Sequence, residues 1–135
     1  MSKPISVVTG GAGFIGSHAV DLLLSEGYQV KVIDNFSGGH KKNLKQHEEN
    51  PNLIIFEDDI RSLSTNSSIF KGAKFVFHFA GIGDIVPSIE YPKDYLSVNV
   101  QGTVNVLECS RAAGVKKFVY AASSSCYGIA DTPTT

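Results

Sequence analysis

Five short runs rich in β-branched and aromatic residues recur along the chain, and their spacing constrains the fold more than any other feature. They are Ile5–Thr9, Gln29–Asp34, Leu53–Glu57, Phe75–Phe79 and Lys117–Ala121. Ile5-Ser6-Val7-Val8-Thr9 has no clean alternation of apolar and polar residues, which is the pattern of a strand covered on both faces. The runs are separated by segments of helical period or by polar loops. Strands alternating with helices at this spacing predict an α/β fold with a parallel sheet. Right-handed crossovers then predict a doubly wound sheet of order 3-2-1-4-5 with helices on both faces.

The intervening segments fill in the layers. Ile15, Ala19, Leu22 and Leu23 mark a helix over Phe14–Glu26 that Gly27 stops. Asn35–Asn52 reads as a loop with a short helix around Lys42–Glu49, and Ile60–Phe70 as weakly helical because Ser, Thr and Asn are frequent in it. Tyr91–Ala113 is the longest periodic segment; Leu96, Val100, Val104, Leu107 and Ala112 predict one buried face, and Gly114 ends it. At 135 residues, with 42% hydrophobic and 19% charged residues, the expectation is one globular domain over 1–135. Twelve basic and thirteen acidic residues leave a net charge of −1, which supplies no electrostatic footprint for nucleic acid or anionic membrane. No apolar run reaches a membrane span of about 18–20 residues, and Met-Ser-Lys-Pro leads into a strand without a signal-peptide core. Cys109 and Cys126 fit reduced thiols, so the expected location is cytoplasmic. His18, His40, His47 and His78 are too scattered for a metal site; His78, between Phe77 and Phe79, reads as a packed, hydrogen-bonded strand histidine. Lys41-Lys42 reads as a solvated loop pair, with contact to a nucleotide phosphate as the alternative.

Gly10-Gly11-Ala12-Gly13-Phe14-Ile15-Gly16 joins the first strand to the first helix. Gly10 suits a tight turn, Gly13 lets backbone approach a pyrophosphate, and Gly16 suits close packing of helix on sheet. Phe14 and Ile15 occupy the helix's opening turn, whose free N–H groups and positive dipole end attract an anion. Asp34 ends the second strand about 20 residues further on, where a carboxylate accepts hydrogen bonds from a ribose and repels a 2′-phosphate. Asn35-Phe36-Ser37 brings no arginine, so NAD is expected over NADP. Together these features predict a Rossmann-type dinucleotide-binding domain. Taken singly, the glycines could be an ordinary turn and Asp34 an ordinary strand-end residue.

The glycine spacing is G-x-x-G-x-x-G, and here the chain resembles the extended short-chain dehydrogenase/reductase family, in particular its nucleotide-sugar epimerases and dehydratases. The resemblance rests on VTGGAGFIGSH from Val7, VIDNFSGGH, DDIR at Asp58–Arg61, FHFAG at Phe77–Gly81, VNVQGTVNVLE at Val98–Glu108 and YAASSSCYG at Tyr120–Gly128. It implies that Asp59 and Ile60 lie beside the adenine, that Asn35 joins Asp34 at the cofactor, and that Phe79, Ala80 and Gly81 line it. It also implies that Asn99 supports the active-site backbone; without the resemblance Asn99 could equally face solvent from mid-helix. Ser123, four residues before Tyr127, falls where the family's serine or threonine hydrogen-bonds the sugar hydroxyl being oxidised. Ser124 and Ser125 follow it on the substrate side, where the 4,6-dehydratases carry Asp-Glu, which favours epimerase over dehydratase. Read without the family, the three serines are a polar loop. Gly83 replaces a lysine that UDP-galactose epimerases carry near this position.

The resemblance implies an NAD-dependent epimerase that moves hydride transiently from a nucleotide sugar through a keto-sugar intermediate and works as a homodimer. The family's base is the tyrosine of Tyr-x-x-x-Lys, its acidity raised by the lysine. Four residues after Tyr28, Tyr91, Tyr95, Tyr120 and Tyr127 stand Val32, Tyr95, Asn99, Ser124 and Asp131, none of them lysine. The chain is therefore expected to be the N-terminal, NAD-binding portion of such an enzyme, with the base, the sugar-binding part and the cover for its last sheet edge lying further on. Two alternatives stand beside this reading: a naturally short, non-catalytic dinucleotide-binding protein, and a portion of a nucleotide-sugar dehydratase or decarboxylase.

Overall fold

The computed structural model describes residues 2–129 and 131. Its centre is β1 (Ile5–Thr9), whose Ser6, Val7, Val8 and Thr9 are fully buried because both faces of the strand are covered. The elements that follow are α1 (Phe14–Ser25), β2 (Gln29–Asp34), a 3₁₀ turn Lys41–His47 and β3 (Leu53–Glu57). Two further 3₁₀ turns, Ile60–Ser62 and Ser68–Phe70, lead to β4 (Ala73–His78). Then come α2 (Ile85–Glu90), α3 (Pro92–Leu96), a π-helical turn Ser97–Gly102, α4 (Thr103–Ala112), β5 (Lys117–Tyr120) and a 3₁₀ turn Ser124–Tyr127. The five strands form one parallel sheet of order β3-β2-β1-β4-β5, the expected doubly wound arrangement.

Strand pleating divides the core in two. Val8, Val30 and Val32 point to the face covered by Val20 and Leu23 of α1 and Leu44 of the first 3₁₀ turn. Val7, Ile33 and Val76 point to the other face, covered by Ile60, Leu63, Ile69 and Phe70 and by Val106 and Cys109 of α4. Lys31 shares this second face near its rim. Its ammonium donates to the Ile69 carbonyl at 2.9 Å, and burial lowers its pKa.

The structure corrects the sequence reading at three places. Ile60–Phe70 is not one weak helix but two 3₁₀ turns, each started by a side chain, Asp59 or Ser67, that accepts a backbone N–H. Short polar side chains outcompete a continuous helix in this way. A separate α2, started at Asp84 and carrying Pro87 in its first turn, where proline is tolerated, occupies a stretch with no helical pattern.

The third correction is the largest. Tyr91–Ala113 is not one regular helix, and the expected buried face points outward. Leu96, Val100, Val104 and Leu107 are 63%, 53%, 52% and 43% exposed, and Ala112 is exposed too. The buried side is Gly102, Val106, Cys109 and Ser110. Close approach decides between the two stripes. A Cβ on Gly102 would stand 2.5 Å from Ile60 Cδ1, so this side packs where a larger side chain has no room. The bulkier stripe is left on the surface with α2's exposed Ile85, Val86 and Ile89. On the edge strand β5, Val119 and Tyr120 are 37% and 55% exposed.

Candidate functional site

The chain leaves β1 for β2 on one side and returns to β4 on the other, so a crevice opens beyond the carboxyl ends of these strands. A cleft of about 490 Å³ lies there. Its lining includes Gly10, Gly13, Asp34, Asn35, Asp59, Ile60, Phe79, Ala80 and Gly81. The loops after β1, β2, β3 and β4 thus converge on one space.

The turn after β1 forms the floor. Gly13 N–H donates to the Gly10 carbonyl at 3.1 Å, and Ser17 N–H closes the first helical hydrogen bond onto Gly13 at 3.0 Å. The Gly13 N-cap carries no side-chain cap. The opening N–H groups of the helix are therefore left for a ligand. Phe14 and Ile15, 80% and 63% exposed, stand at this helix start outside the cleft lining. Gly16 lies behind the floor, where a Cβ would stand 2.0 Å from the Gly10 carbonyl oxygen.

Asp34 faces the floor from the end of β2 and is 8% exposed. Its Oδ2 accepts the Ala12 N–H at 2.9 Å, and its Oδ1 accepts the Phe36 N–H at 2.8 Å. A carboxylate oxygen has two acceptor sites, so each retains one beyond these bonds. The Ala12 carbonyl in turn accepts from His40 N–H at 3.0 Å and Asn43 Nδ2 at 2.8 Å. The turn after β1 and the loop after β2 are therefore latched together. Phe36 holds a left-handed backbone, φ 56°, inside this latch.

Asp59 forms the far wall. Arg61 donates to it three times, backbone N–H to Oδ1 at 2.9 Å, Nε to Oδ1 at 3.0 Å and Nη2 to Oδ2 at 2.7 Å, and Asn35 Nδ2 donates to Oδ2 at 3.1 Å. The hydrogen bond from the Arg61 side chain is the main reason the Asp59 pKa falls to about 2. Ile60, beside it, is 5% exposed with its side chain in the core. Asn99 does not line the cleft. From the π-helical turn its Oδ1 accepts the Ile82 N–H at 2.9 Å and its Nδ2 donates to the Ile82 carbonyl at 2.8 Å. It thus faces the loop after β4 and not solvent.

The serine run lies apart from the cleft lining, beyond β5. Ser123 caps the last 3₁₀ turn, its Oγ accepting the Ser125 N–H at 3.2 Å, and Ser124 and Ser125 are exposed within that turn. The structure also brings in residues the sequence reading did not single out: Ser37, Gly38, Gly39, Asp58, Arg61, Ile82, Asp94 and Val98. Arg61 and Asp58 lie inside the quoted DDIR segment, and Ser37–Gly39 inside VIDNFSGGH, so a signal was present for them; Ile82 and Asp94 had none. Among the described residues, no group of three His, Cys, Asp or Glu side chains is placed to hold a metal ion, and no helix is long and apolar enough to cross a membrane.

A glycine floor at a helix start, facing a buried strand-end carboxylate at the switch point of a doubly wound sheet, defines a Rossmann-type dinucleotide-binding fold. The model of the NAD dependent epimerase/dehydratase family matches residues 6–135, and the chain belongs to that family. It is 40% identical over 132 residues to UDP-glucose 4-epimerase of Bos taurus, covering 90% of this chain and 38% of the relative. Among solved structures, a UDP-N-acetylglucosamine 4-epimerase of Methanobrevibacter ruminantium superposes with a TM-score of 0.90 at 32% identity, covering 100% of this chain and 43% of the other. The dTDP-glucose 4,6-dehydratase DesIV of Streptomyces venezuelae, with NAD and TYD bound, superposes with a TM-score of 0.88 at 33% identity, covering 97% and 43%. The chain therefore spans well under half the length of these relatives. NAD is the family's cofactor, and the cleft fits it: unpaired helix-start N–H groups suit a pyrophosphate, and the free acceptor sites of Asp34 suit a ribose.

Proposed function

We propose that this chain is the NAD-binding portion of a nucleotide-sugar epimerase. The observation that carries this reading is the uncapped glycine floor facing Asp34. When bound, NAD supplies a reversible hydride acceptor and donor for a sugar that passes through its keto form. The chain's own part is to hold the pyrophosphate on the α1 N-terminus through the backbone of Gly13, Phe14 and Ile15, with Gly10 and Gly16 letting the turn close. Asp34 takes the adenosine ribose with Asn35 beside it. Asp59 and Ile60 wall the adenine, and Phe79, Ala80 and Gly81, with Asn99 behind them, line the nicotinamide side. Ser123 holds the sugar hydroxyl, flanked by Ser124 and Ser125, which carry no carboxylate for water elimination. In this reading residues 1–135 form one binding domain, the tyrosine base and the sugar-binding part belong to the remainder of the whole protein, and the enzyme works in the cytoplasm, where free Cys109 and Cys126 stay reduced.

Isothermal calorimetry tests the cofactor assignment. NAD or NADH is expected to bind at least tenfold more tightly than the corresponding phosphorylated cofactor, because four carboxylates, Asp34, Asp58, Asp59 and Asp94, line the cleft against one cation, Arg61. No heat with NAD or NADH would sink the assignment. For the whole protein, inversion of a UDP-sugar hydroxyl is expected; formation of a 4-keto-6-deoxy sugar would move the reading to a dehydratase.

The Leu96–Val100–Val104–Leu107 stripe supports the homodimer in the same proposal. An apolar row of this size, on a helix otherwise polar outside, suits a copy of itself across a two-fold axis. Sedimentation of the chain is expected to show self-association that Val104→Lys removes. A monomer at every concentration would argue that the stripe serves another surface.

A further inference from the structure

His78 is buried at 1% exposure at the end of β4, touches none of the cleft space, and has no part in the function proposed above. Its two ring nitrogens nevertheless join two chains of hydrogen bonds that end on either side of the same wall. On one side, Thr9 Oγ1 lies 2.6 Å from His78 Nδ1 and accepts the Ala80 N–H at 3.2 Å. On the other, Thr103 Oγ1 lies 2.8 Å from His78 Nε2 and donates to the Asn99 carbonyl at 2.7 Å. Asn99 then pairs by its side chain with both backbone groups of Ile82.

Proton counting fixes the direction of every bond. A carbonyl only accepts, so the single Thr103 hydroxyl proton goes to Asn99, and Thr103 Oγ1 must accept from His78 Nε2–H. Burial holds the imidazole neutral, with its pKa pushed down to about 4, so Nδ1 is bare. Nδ1 therefore accepts the Thr9 hydroxyl proton, leaving Thr9 Oγ1 to accept from Ala80. The ring is also held in plane, stacked on Tyr120 at 5.8 Å with 19° between the planes and leaning on Phe118 at 5.8 Å.

We propose that His78, as its Nε2–H tautomer, is a positioning residue that sets the Phe79–Ile82 wall of the cleft, holding Ala80 through Thr9 and Ile82 through Thr103 and Asn99. It ties β1 and β4 to the start of α4, and through Thr103 to the π-helical turn, so the wall is fixed from both ends. An apolar ring of the same size would fill the space but leave Thr9 and Thr103 each without its partner on the ring. The consequence for NAD affinity rests on the NAD-binding reading given above.

Nitrogen-15 spectra of the wild-type ring test the direction of the chain without any substitution: protonation at Nε2 and a bare Nδ1 are expected at neutral pH, and an Nδ1–H ring overturns the proposal. Amide exchange then reads the wall itself. In Thr103→Val, an isosteric change, Ile82 N–H is expected to exchange at least tenfold faster while Val8 and Val32 keep their rates. In His78→Phe, both Ala80 and Ile82 are expected to speed up by at least that factor, and NADH to bind at least tenfold more weakly. His78→Gln retains a donor toward Thr103 and is expected to restore protection at Ile82 more than at Ala80. Unchanged exchange at both amides in a folded His78→Phe or Thr103→Val protein overturns the proposal. Should wild-type protein bind no NADH, the cofactor reading fails, while the ring spectra and exchange rates still decide the clamp.

Discussion

Gly16→Ala is expected to destabilise the fold by ~3 kcal/mol or more, at the upper end of overpacking changes, and to abolish NAD(H) binding. Within a helix, glycine to alanine ordinarily stabilises by ~1 kcal/mol, so the sign itself is diagnostic. Here the added Cβ would meet Gly10 oxygen at 2.0 Å, Gly10 carbon at 2.8 Å and Gly11 Cα at 2.9 Å. All three are backbone atoms of the turn proposed to receive the cofactor, so no side chain can swing away. Either α1 lifts off the sheet, exposing Val20 and Leu23, or the turn opens and Gly13 loses its bond to Gly10. Gly83→Ala is the control: it lies outside the cleft lining and its Cβ meets nothing within 4 Å, and a change within ~0.5 kcal/mol is expected, as for surface sites generally. Urea unfolding with NADH titration on the same samples checks both. Wild-type stability in Gly16→Ala would contradict the packing described for this turn.

Stability is expected to fall steeply between pH 6.5 and about 4, and His78 is the reason. Burial lowers its pKa from 6.5 to about 4 in the folded chain. Between those values the unfolded chain binds a proton that the folded chain excludes, so acid favours unfolding. The contribution is complete above pH 6.5 and lost as pH falls to about 4; the difference is worth ~3 kcal/mol at ~1.4 kcal/mol per tenfold change in proton concentration. Asp59 acts lower on the scale. Its pKa of about 2 against an ordinary 3.8 adds stability above 3.8 that disappears as pH falls through 2, and partial exposure screens this share. Urea midpoints from pH 7.5 to 1.5 are expected to trace the two stages, the first missing in His78→Gln. A flat profile from pH 7 to 4.5 in wild-type protein would contradict the neutral buried ring.

The sheet was legible because its signals are local and repeated. β1, β2 and β3 match the expected runs residue for residue, since β-branched runs bounded by turns have few other uses. The glycine floor and Asp34 were legible for a related reason: backbone approach to a ligand needs particular residue types at particular spacings. Helix faces were less so. Two apolar stripes compete on the Pro92–Ala112 helical stretch, and the choice between them depends on Ile60, which meets Gly102 from a distant part of the chain. No periodicity contains that contact. The Thr9–His78–Thr103 chain was half visible: His78 read as a hydrogen-bonded strand histidine, but its partners lie 69 and 25 residues away, Thr9 brought to it by the parallel register and Thr103 by the packing of α4 on β4. Arg61 likewise needed the structure to show that it neutralises Asp59 and does not simply face solvent.

The double engagement of Asp34 limits how this protein's cofactor preference can be altered. The carboxylate proposed to take the ribose also ties Ala12 to Phe36, and through Ala12 reaches His40 and Asn43. Selectivity and scaffold are thus written in the same two oxygen atoms. On the proposed reading, a smaller or neutral residue would admit a 2′-phosphate while releasing the turn assigned to the pyrophosphate, so gain at one end of the ligand is cancelled at the other. Retargeting the cleft to NADP calls for a coordinated set of changes in which another group first takes over the Ala12 and Phe36 N–H groups. Single-step drift between the two cofactors is correspondingly closed to this chain.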